Sequence, residues 1–163
     1  MNLKPTDITI VIDTREQTPL SFEIKDIKIP TVAGSLPTGD YSVQNLEHKI
    51  AVERKSLADL VMCVGRERER FEKELQRLAA YESRLLVVES SWEEIEAGKY
   101  RSKINPQSVV GSLLSWQEKY NLPIMMAIDH ERAGLMTARY LFSAVKRRYR
   151  EYYQFFKPSR SKS

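Results

Sequence analysis

Short, continuous apolar runs recur along the chain and predict buried strands. Three of them, residues 8–12, 84–89 and 124–128, consist largely of aliphatic side chains and are bounded by polar residues. Such runs are typical of strands that are covered on both faces. Two more strand-like segments, residues 41–44 and 49–53, are separated by a polar turn of hairpin length, which predicts an antiparallel hairpin.

The segment from residue 18 to residue 38 is irregular by comparison. It contains Pro19, Pro30, Pro37 and Gly34, which interrupt regular structure. We expect this segment to connect neighbouring elements and to contain one short strand near residues 27–32.

Apolar positions recur at helical spacing in the remaining segments. Ser56 is a predicted N-cap, with Asp59 three residues later in the arrangement of a capping box. This helix is expected to break near Gly65 and to continue over residues 66–81. Further helices are predicted at residues 92–96, from Pro106 onwards, and at residues 131–156.

This order of strands and helices predicts an α/β fold in which a central mixed β-sheet is flanked by helices on both faces. The 163 residues, 42% of them hydrophobic, fit one domain whose core needs neither disulfides nor a structural metal. We expect residues 1–156 to form this single domain and residues 157–163 to be a disordered basic tail.

Composition narrows the cellular setting. The formal net charge of +4 and a pI near 9.1 permit binding to a polyanion without requiring it. Cys63 is the only cysteine, so no internal disulfide can form and a reducing compartment is expected. No apolar stretch approaches the roughly 20 residues that span a bilayer. We therefore expect a cytoplasmic or nucleoid-associated protein that does not enter a membrane.

The scarcity of histidine excludes several kinds of active site. His48 and His130 are the only histidines, and they lie far apart in the sequence. A His-rich zinc site, a histidine-based nuclease centre and a Cys-His nucleophile pair each need more imidazole or thiol groups than the chain provides. Carboxylates and lysine must therefore carry any catalysis.

The predicted hairpin brings such groups together. Period-two alternation places Glu53 and Lys55 on the same side of a strand, and Asp40 lies near the same end of the hairpin. Carboxylate oxygens suit magnesium, which neutralises the charge that develops in phosphodiester hydrolysis and lowers the pKa of the attacking water. Lys55 would orient that water or stabilise charge at the phosphorus. On spacing alone, a solvated Glu-Lys pair at a strand end is the more frequent explanation.

Three sequence blocks, in order, resemble the nuclease domain of the XPF-type structure-specific endonucleases, a branch of the restriction-endonuclease-like, or PD-(D/E)XK, superfamily. The blocks are Val11-Ile12-Asp13-Thr14-Arg15-Glu16, Gly39-Asp40-Tyr41 and Val52-Glu53-Arg54-Lys55-Ser56-Leu57-Ala58-Asp59-Leu60. The last two match the Gly-Asp … Glu-Arg-Lys-x-x-x-Asp signature of this group, and the similarity extends to about Ile128. Three blocks in the correct order favour an active site over a solvated pair.

The resemblance implies a catalytic set that consists of Asp13, Arg15, Glu16, Asp40, Glu53 and Lys55. Within this set, the implied ligands of Mg²⁺ or Mn²⁺ are Asp13, Asp40 and Glu53. Arg15 either clamps a phosphate through its fork of donors or forms an ion pair with Glu16 or another acid, and we favour the clamp. Asp59 belongs to the signature, but helix capping alone explains it.

A set of basic residues is predicted to contact DNA. It comprises Arg54, Arg66, Arg70, Lys73 and Arg77, and the last four recur at offsets of 0, 4, 7 and 11, which place them on one stripe of a helix. A solvated, salt-bridged face is the alternative. The stretch of residues 146–153 mixes cations and aromatics, which either track a nucleic acid or pack a helix on the sheet.

We therefore expect a metal-dependent DNA endonuclease that acts on branched, flap or otherwise structured DNA. The alternative is a non-catalytic DNA-binding or scaffold subunit that keeps the nuclease fold and activates a partner. A nuclease of plain duplex DNA is a third outcome. Many XPF-type enzymes carry a tandem helix-hairpin-helix module, and this sequence ends before one, so we expect a homodimer or a partner subunit to supply DNA targeting.

Overall fold

The computed structural model describes residues 2–156. The strands are β1 Ile10–Asp13, β2 Glu23–Ile24, β3 Ile27–Lys28, β4 Thr31–Gly34, β5 Tyr41–Val43, β6 Ile50–Ser56, β7 Ser83–Glu89 and β8 Ile124–Met126. The helices are α1 Leu57–Val64, α2 Arg68–Ala79, α3 Trp92–Glu96, α4 Pro106–Tyr120 and α5 His130–Phe155, and a 3-10 turn at Pro5–Asp7 precedes β1. The basic tail predicted at residues 157–163 lies outside the described residues.

Six strands form one mixed sheet in the order β4-β1-β5-β6-β7-β8. β5 is antiparallel to both β1 and β6, as the predicted hairpin requires. β1 pairs with β4, β6 with β7 and β7 with β8 in parallel. Because parallel neighbours need a crossover connection, the helices α1 to α4 lie in the β6–β7 and β7–β8 connections.

Two apolar clusters cover the two faces of the sheet. On one face, α5 packs through residues that include Ala138 and Leu141. On the other face, α1, α2 and α4 pack through residues that include Leu60, Leu75 and Trp116. The prediction of a central mixed sheet with helices on both faces is therefore confirmed. Among the described residues, none of the helices has the length and apolarity that crossing a lipid bilayer requires.

Local signals set the start of the helix that follows the predicted active-site strand. The Ser56 hydroxyl accepts the Asp59 backbone N–H at 3.2 Å and donates to the Asp59 carboxylate at 2.7 Å. The predicted Ser56 cap is therefore confirmed. Asp59 binds the Ser56 hydroxyl instead of the Ser56 backbone N–H that a full capping box would use. The predicted break near Gly65 is also confirmed, because α1 ends at Val64 and α2 begins at Arg68.

The segment from residue 18 to residue 38 contains more regular structure than predicted. Instead of one strand near residues 27–32, it forms the small hairpin β2–β3 and the edge strand β4. The hairpin turns at Lys25 and Asp26, whose φ angles are 49° and 63°. Turns of this kind are usually recognised by Asn or Gly at such positions, and the Lys-Asp pair gives no comparable signal.

This same segment is held closely against α5 at Gly134. A Cβ atom at Gly134 would clash with the backbone carbonyl oxygen of Ser21, so only glycine allows the approach. The contact holds the segment that follows β1 against α5.

Candidate active site

A cavity of about 560 Å³ opens where the end of β1, the β4–β5 loop, β6 and α2 meet. Its lining, which we call the candidate active site, is dominated by charged side chains. The residues are Asp13, Arg15, Gln17, Pro37, Thr38, Gly39, Asp40, Glu53, Lys55, Asp59, Arg70, Glu74 and Arg77. The cavity therefore brings together five of the six predicted catalytic residues, all except Glu16.

The turn into β5 positions Asp40. Gly39 has a φ angle of +83°, and a Cβ atom there would lie 2.9 Å from the Val52 carbonyl oxygen, so this turn requires glycine. The Asp40 backbone N–H then donates to Val52 at 2.8 Å, and the Arg54 backbone N–H donates to Asp40 Oδ2 at 2.7 Å. The Gly-Asp pair of the sequence signature thus fixes a carboxylate directly beside β6.

The pleat of β6 positions the other two central groups. Glu53 and Lys55 are two residues apart and project from the face that is covered by α1 and α2, as predicted. Lys55 Nζ lies 2.7 Å from Glu53 Oε1 and 5.1 Å from the centre of the Phe71 ring. The buried aromatic wall and the adjacent carboxylate together hold the ammonium at the floor of the cavity.

The carboxylates of Asp40 and Glu53 perturb each other. Burial and the neighbouring charge of Glu53 raise the pKa of Asp40 to about 7. Burial also raises the pKa of Glu53, although the ion pair with Lys55 opposes the shift. The pKa of Lys55 is raised because its pairing with Glu53 outweighs the effect of burial. The protein alone therefore leaves two acids that resist full ionisation, beside a lysine that stays protonated.

These two acids suit a hard divalent cation. Within residues 2–156, one oxygen of each carboxylate, Asp40 Oδ1 and Glu53 Oε2, has no hydrogen bond from the protein. Mg²⁺ is commonly held by one or two carboxylates and completes its coordination with waters and phosphate oxygens. A cation would also remove the repulsion that raises the pKa of Asp40. The donor set therefore fits Mg²⁺ or Mn²⁺.

The third predicted ligand, Asp13, is occupied by other contacts. Its Oδ1 accepts from Arg15 Nε at 2.7 Å and its Oδ2 accepts from the Leu36 backbone N–H at 2.8 Å. Burial opposes its ionisation, but these hydrogen bonds keep the pKa of Asp13 below its usual value. Accordingly, the described residues contain no group of three or more His, Cys, Asp or Glu side chains that could hold a metal. The geometry gives Asp13 an anchoring role between β1 and the β4–β5 loop.

Arg15 lines the cavity but is also paired. Its guanidinium is bound to Asp13 and to the Leu36 carbonyl oxygen. From the sequence, Arg15 was expected either to clamp a phosphate or to form an ion pair with an acid. In the structure it forms the ion pair, with Asp13. Because 74% of the Arg15 side chain is exposed, its remaining surface still faces the cavity.

Glu16 and Arg54 lie together on the opposite face of β6. Arg54 Nη2 and Nε bind the two carboxylate oxygens of Glu16 at 2.7 and 3.1 Å, and Nη1 binds Glu89 Oε1 at 2.8 Å. Tyr41 donates to Glu16 at 2.9 Å, and His130 Nδ1 lies 2.7 Å from Glu89. We call these five residues the Arg54 network. Only 12% of the Arg54 side chain is exposed, so the structure does not support the predicted DNA contact of Arg54.

The predicted basic stripe divides into two parts. Arg70 and Arg77 line the cavity, whereas Arg66 and Lys73 do not. Arg66 lies before α2 begins, so helical spacing does not fix its direction, and its guanidinium contacts the sulfur of Met62. Lys73 is paired with the exposed Glu69. The break at Gly65 therefore shortens the stripe that faces the site.

Sequence reasoning missed Glu74 as a residue of this cavity. Glu74 lies four residues after Arg70 and three before Arg77, on the same face of α2. The helical spacing of the arginines therefore contained the signal, because Glu74 shares their face of α2. Its carboxylate adds to the negative charge that raises the pKa of Glu53.

The basic and aromatic stretch at residues 146–153 extends along the last turns of α5. Two of its three tyrosines, Tyr152 and Tyr153, are 66% and 49% exposed, so these two do not pack on the sheet. Trp116 of α4 is fully buried in the core.

Known proteins resemble this chain in both sequence and fold. Residues 12–151 match the family described as the ERCC4 domain. Two similar solved structures are XPF from Aeropyrum pernix and XPF from Aeropyrum pernix in complex with DNA. Both are 22% identical to this chain, with TM-scores of 0.66 and 0.67, and they cover 83% and 86% of it. The chain spans 61% and 66% of the length of those XPF chains. No curated protein sequence matches.

We expect Arg54→Met to destabilise the protein by about 3–5 kcal/mol, because it leaves the Glu16 and Glu89 carboxylates buried without their cation. Arg70→Met is the matched control: it removes an exposed ion pair with Glu67 and should cost less than about 1 kcal/mol. Urea unfolding followed by circular dichroism measures both. Equal losses in the two variants would show that the Arg54 network does not stabilise the fold.

We expect Asp40→Asn to stabilise the metal-free protein at pH 8 but not at pH 4. The pKa of Asp40 rises from 3.8 to about 7 on folding, so the folded state binds this proton more tightly than the unfolded state does. The free energy of unfolding that Asp40 contributes therefore falls as the pH rises from about 4 to about 7. The gain at pH 8 should be about 1–3 kcal/mol. Thermal melts in EDTA at pH 4, 6 and 8 measure the stability of both proteins, with the exposed Glu69→Gln as control. A stability difference between Asp40→Asn and wild type that does not vary with pH would contradict the raised pKa of Asp40.

Proposed function

The chain belongs to the ERCC4 domain family of XPF-type nuclease domains, and from this premise we propose that it is a metal-dependent endonuclease that hydrolyses phosphodiester bonds in DNA. The observation that carries the proposal is the convergence of Asp40, Glu53 and Lys55 in one cavity whose wall also carries Arg70 and Arg77. A solvated Glu-Lys pair at a strand end does not account for this arrangement, because the pair is largely buried and faces a second acid.

Asp40 and Glu53 would hold Mg²⁺ or Mn²⁺ through the carboxylate oxygens that no protein group occupies. When bound, the metal neutralises charge on the phosphate and lowers the pKa of a coordinated water. The Arg54 backbone N–H keeps Asp40 in place, and Lys55 keeps Glu53 in place. The two carboxylates are therefore oriented before any substrate binds, which limits the reorganisation needed during hydrolysis.

Lys55 acts as a charged donor in this proposal rather than as a base. Its pairing with Glu53 raises its pKa despite burial, so it carries a proton at neutral pH. The ammonium is then able to orient the attacking water and to stabilise negative charge on the phosphate oxygens. Arg70 and Arg77, on the α2 wall of the cavity, are suited to contact the flanking phosphates.

Branched, flap or otherwise structured DNA is the substrate class that we infer. Support comes from the family and from the similar XPF structure of Aeropyrum pernix, which is a complex with DNA. Dimerisation, or a partner subunit, would add further DNA targeting. The second candidate, a non-catalytic scaffold subunit, is disfavoured by the presence of all three central groups, Asp40, Glu53 and Lys55.

We expect purified protein to cleave at least one of five labelled DNAs, namely flap, fork, nicked duplex, single strand and plain duplex, with Mg²⁺ or Mn²⁺ but not with EDTA. Asp40→Asn and Lys55→Ala should each reduce the single-turnover rate by about 10²-fold or more, because the first removes a proposed metal ligand and the second removes a charged donor at the phosphate. Gel electrophoresis of the products measures the rates, and Glu69→Gln serves as an exposed control.

The outcomes separate the candidate functions. Loss of cleavage for every substrate and metal, with DNA binding retained, would contradict the enzyme and favour the scaffold. Equal rates for wild type and Asp40→Asn would show that the active-site assignment is wrong. Equal cleavage of plain duplex and structured DNA would instead indicate a nuclease without structure preference.

We expect Arg70→Ala combined with Arg77→Ala to weaken DNA binding and to reduce the slope of log affinity against log salt by about 1 for each lost phosphate contact. The matched control is Arg66→Ala combined with Lys73→Ala, which removes the same charge from residues that lie outside the cavity. Fluorescence anisotropy with EDTA, at several salt concentrations, measures both. If the two double variants behave alike, binding depends on overall charge and not on the cavity wall.

A further inference from the structure

A second cavity, of about 390 Å³, lies beside the candidate active site between the first turns of α1 and the loop that follows α3. We call it the side cavity. The two cavities are neighbours at the start of α1, because Ala58 lines the side cavity and the next residue, Asp59, lines the candidate active site. The side cavity is therefore within reach of a strand whose phosphate occupies the candidate active site.

The interior of the side cavity is apolar. Leu57, Val61 and Met62 line it from α1, and the Tyr100 ring lines it from the loop. Met62 is 39% exposed, so its flexible, polarisable side chain is accessible from the side cavity. The Tyr100 hydroxyl donates to the Ile104 carbonyl oxygen at 2.8 Å, which fixes the orientation of the ring. A flat, polarisable surface is thus held in place beside open apolar space.

Two cations stand at the rim. Lys99 and Arg101 line the side cavity, are exposed, and form no ion pair with any acid in the part of the chain that the structure describes. The apolar floor and cationic rim are complementary to a nucleotide, whose base offers an apolar face and whose phosphate offers negative charge. The volume lies within the range of small-ligand sites.

We propose that the side cavity receives an unpaired base of the DNA strand whose phosphate is bound in the candidate active site. The base stacks against Tyr100 and Met62, while Lys99 and Arg101 contact the phosphate next to it. This inference rests on the proposed function for its ligand, since it places the base in the same strand.

Only an unpaired base can make this contact. A base inside a duplex is stacked and paired, and it must leave the stack before it can enter a cavity. The energetic cost of that step is smallest where the DNA is already unpaired, at a flap, fork or single-stranded end. The side cavity therefore gives this domain its own preference for DNA with an unpaired nucleotide beside the cleavage point, before any partner contributes.

Forked and flap DNAs with 2-aminopurine at single, defined unpaired positions near the branch test the proposal. In EDTA, so that no cleavage occurs, we expect wild-type protein to change the fluorescence strongly at one position and weakly at the others. Met62→Ala with Tyr100→Leu should abolish this change and reduce affinity for the fork about 10-fold, and affinity for plain duplex less than about 2-fold. Lys99→Ala with Arg101→Ala should also weaken fork binding.

Matched controls lie elsewhere on the fold. Leu114→Ala shortens another exposed apolar side chain, on α4, and Arg132→Ala with Arg139→Ala removes two exposed cations from α5. Neither should alter the 2-aminopurine signal. If Tyr100→Leu disturbs the loop, as circular dichroism would reveal, Met62→Ala alone carries the test because this side chain lies at the surface.

Three results would overturn the proposal. The first is a fluorescence that does not depend on the position of 2-aminopurine, and the second is a wild-type fluorescence response in the side-cavity variants. The third is a lower dimer fraction of Met62→Ala in analytical ultracentrifugation while its 2-aminopurine signal stays intact. The last would assign the cavity to a second copy of the chain. Because the fluorescence is read without metal, its outcome does not depend on catalysis. Absent cleavage with Mg²⁺ contradicts the proposed function separately.

Discussion

The charge of Arg54, buried between two carboxylates, is the constraint on which the active-site strand depends. Glu16 comes from the chain after β1, Glu89 from the end of β7, and His130 from the start of α5. This network joins four parts of the chain across the face of β6 opposite the candidate active site. Removing charges from water is costly unless they are paired, so the paired charges stabilise one another and hold the strand that presents Glu53 and Lys55.

The opposite face of β6 has acids that are not fully balanced by cations. There the acids Asp40 and Glu53 are crowded enough that the pKa of Asp40 reaches about 7, and among the described residues Lys55 is the cation that pairs with Glu53. This charge imbalance opens into a cavity rather than into a closed network. The proposed divalent cation would supply the positive charge that the two acids lack.

Much of this arrangement follows from the sequence, because it depends on local rules. The order of strands and helices was sufficient to predict the fold class. The alternation of β6 and the signature blocks were sufficient to predict the group Asp40, Glu53 and Lys55. Local rules could not show that Arg54 is paired with two acids on the face of β6 opposite the cavity, since these partners lie 38 and 35 residues away in the sequence. Nor could they show that Asp13 is occupied by Leu36, which lies 23 residues away in the sequence.

The pleat of β6 also bears on how such chains evolve. Neighbouring residues of this strand have different partners: Arg54 belongs to the network that stabilises the fold, whereas Glu53 and Lys55 belong to the proposed active site. A substitution at Glu53 or Lys55 leaves the contacts of Arg54 in place, so a duplicated copy would be able to lose the proposed cleavage in a single step and persist as a folded binding protein. Loss of Arg54 would instead leave two acids without their cation. The strand thus allows the proposed chemistry to change independently of the fold.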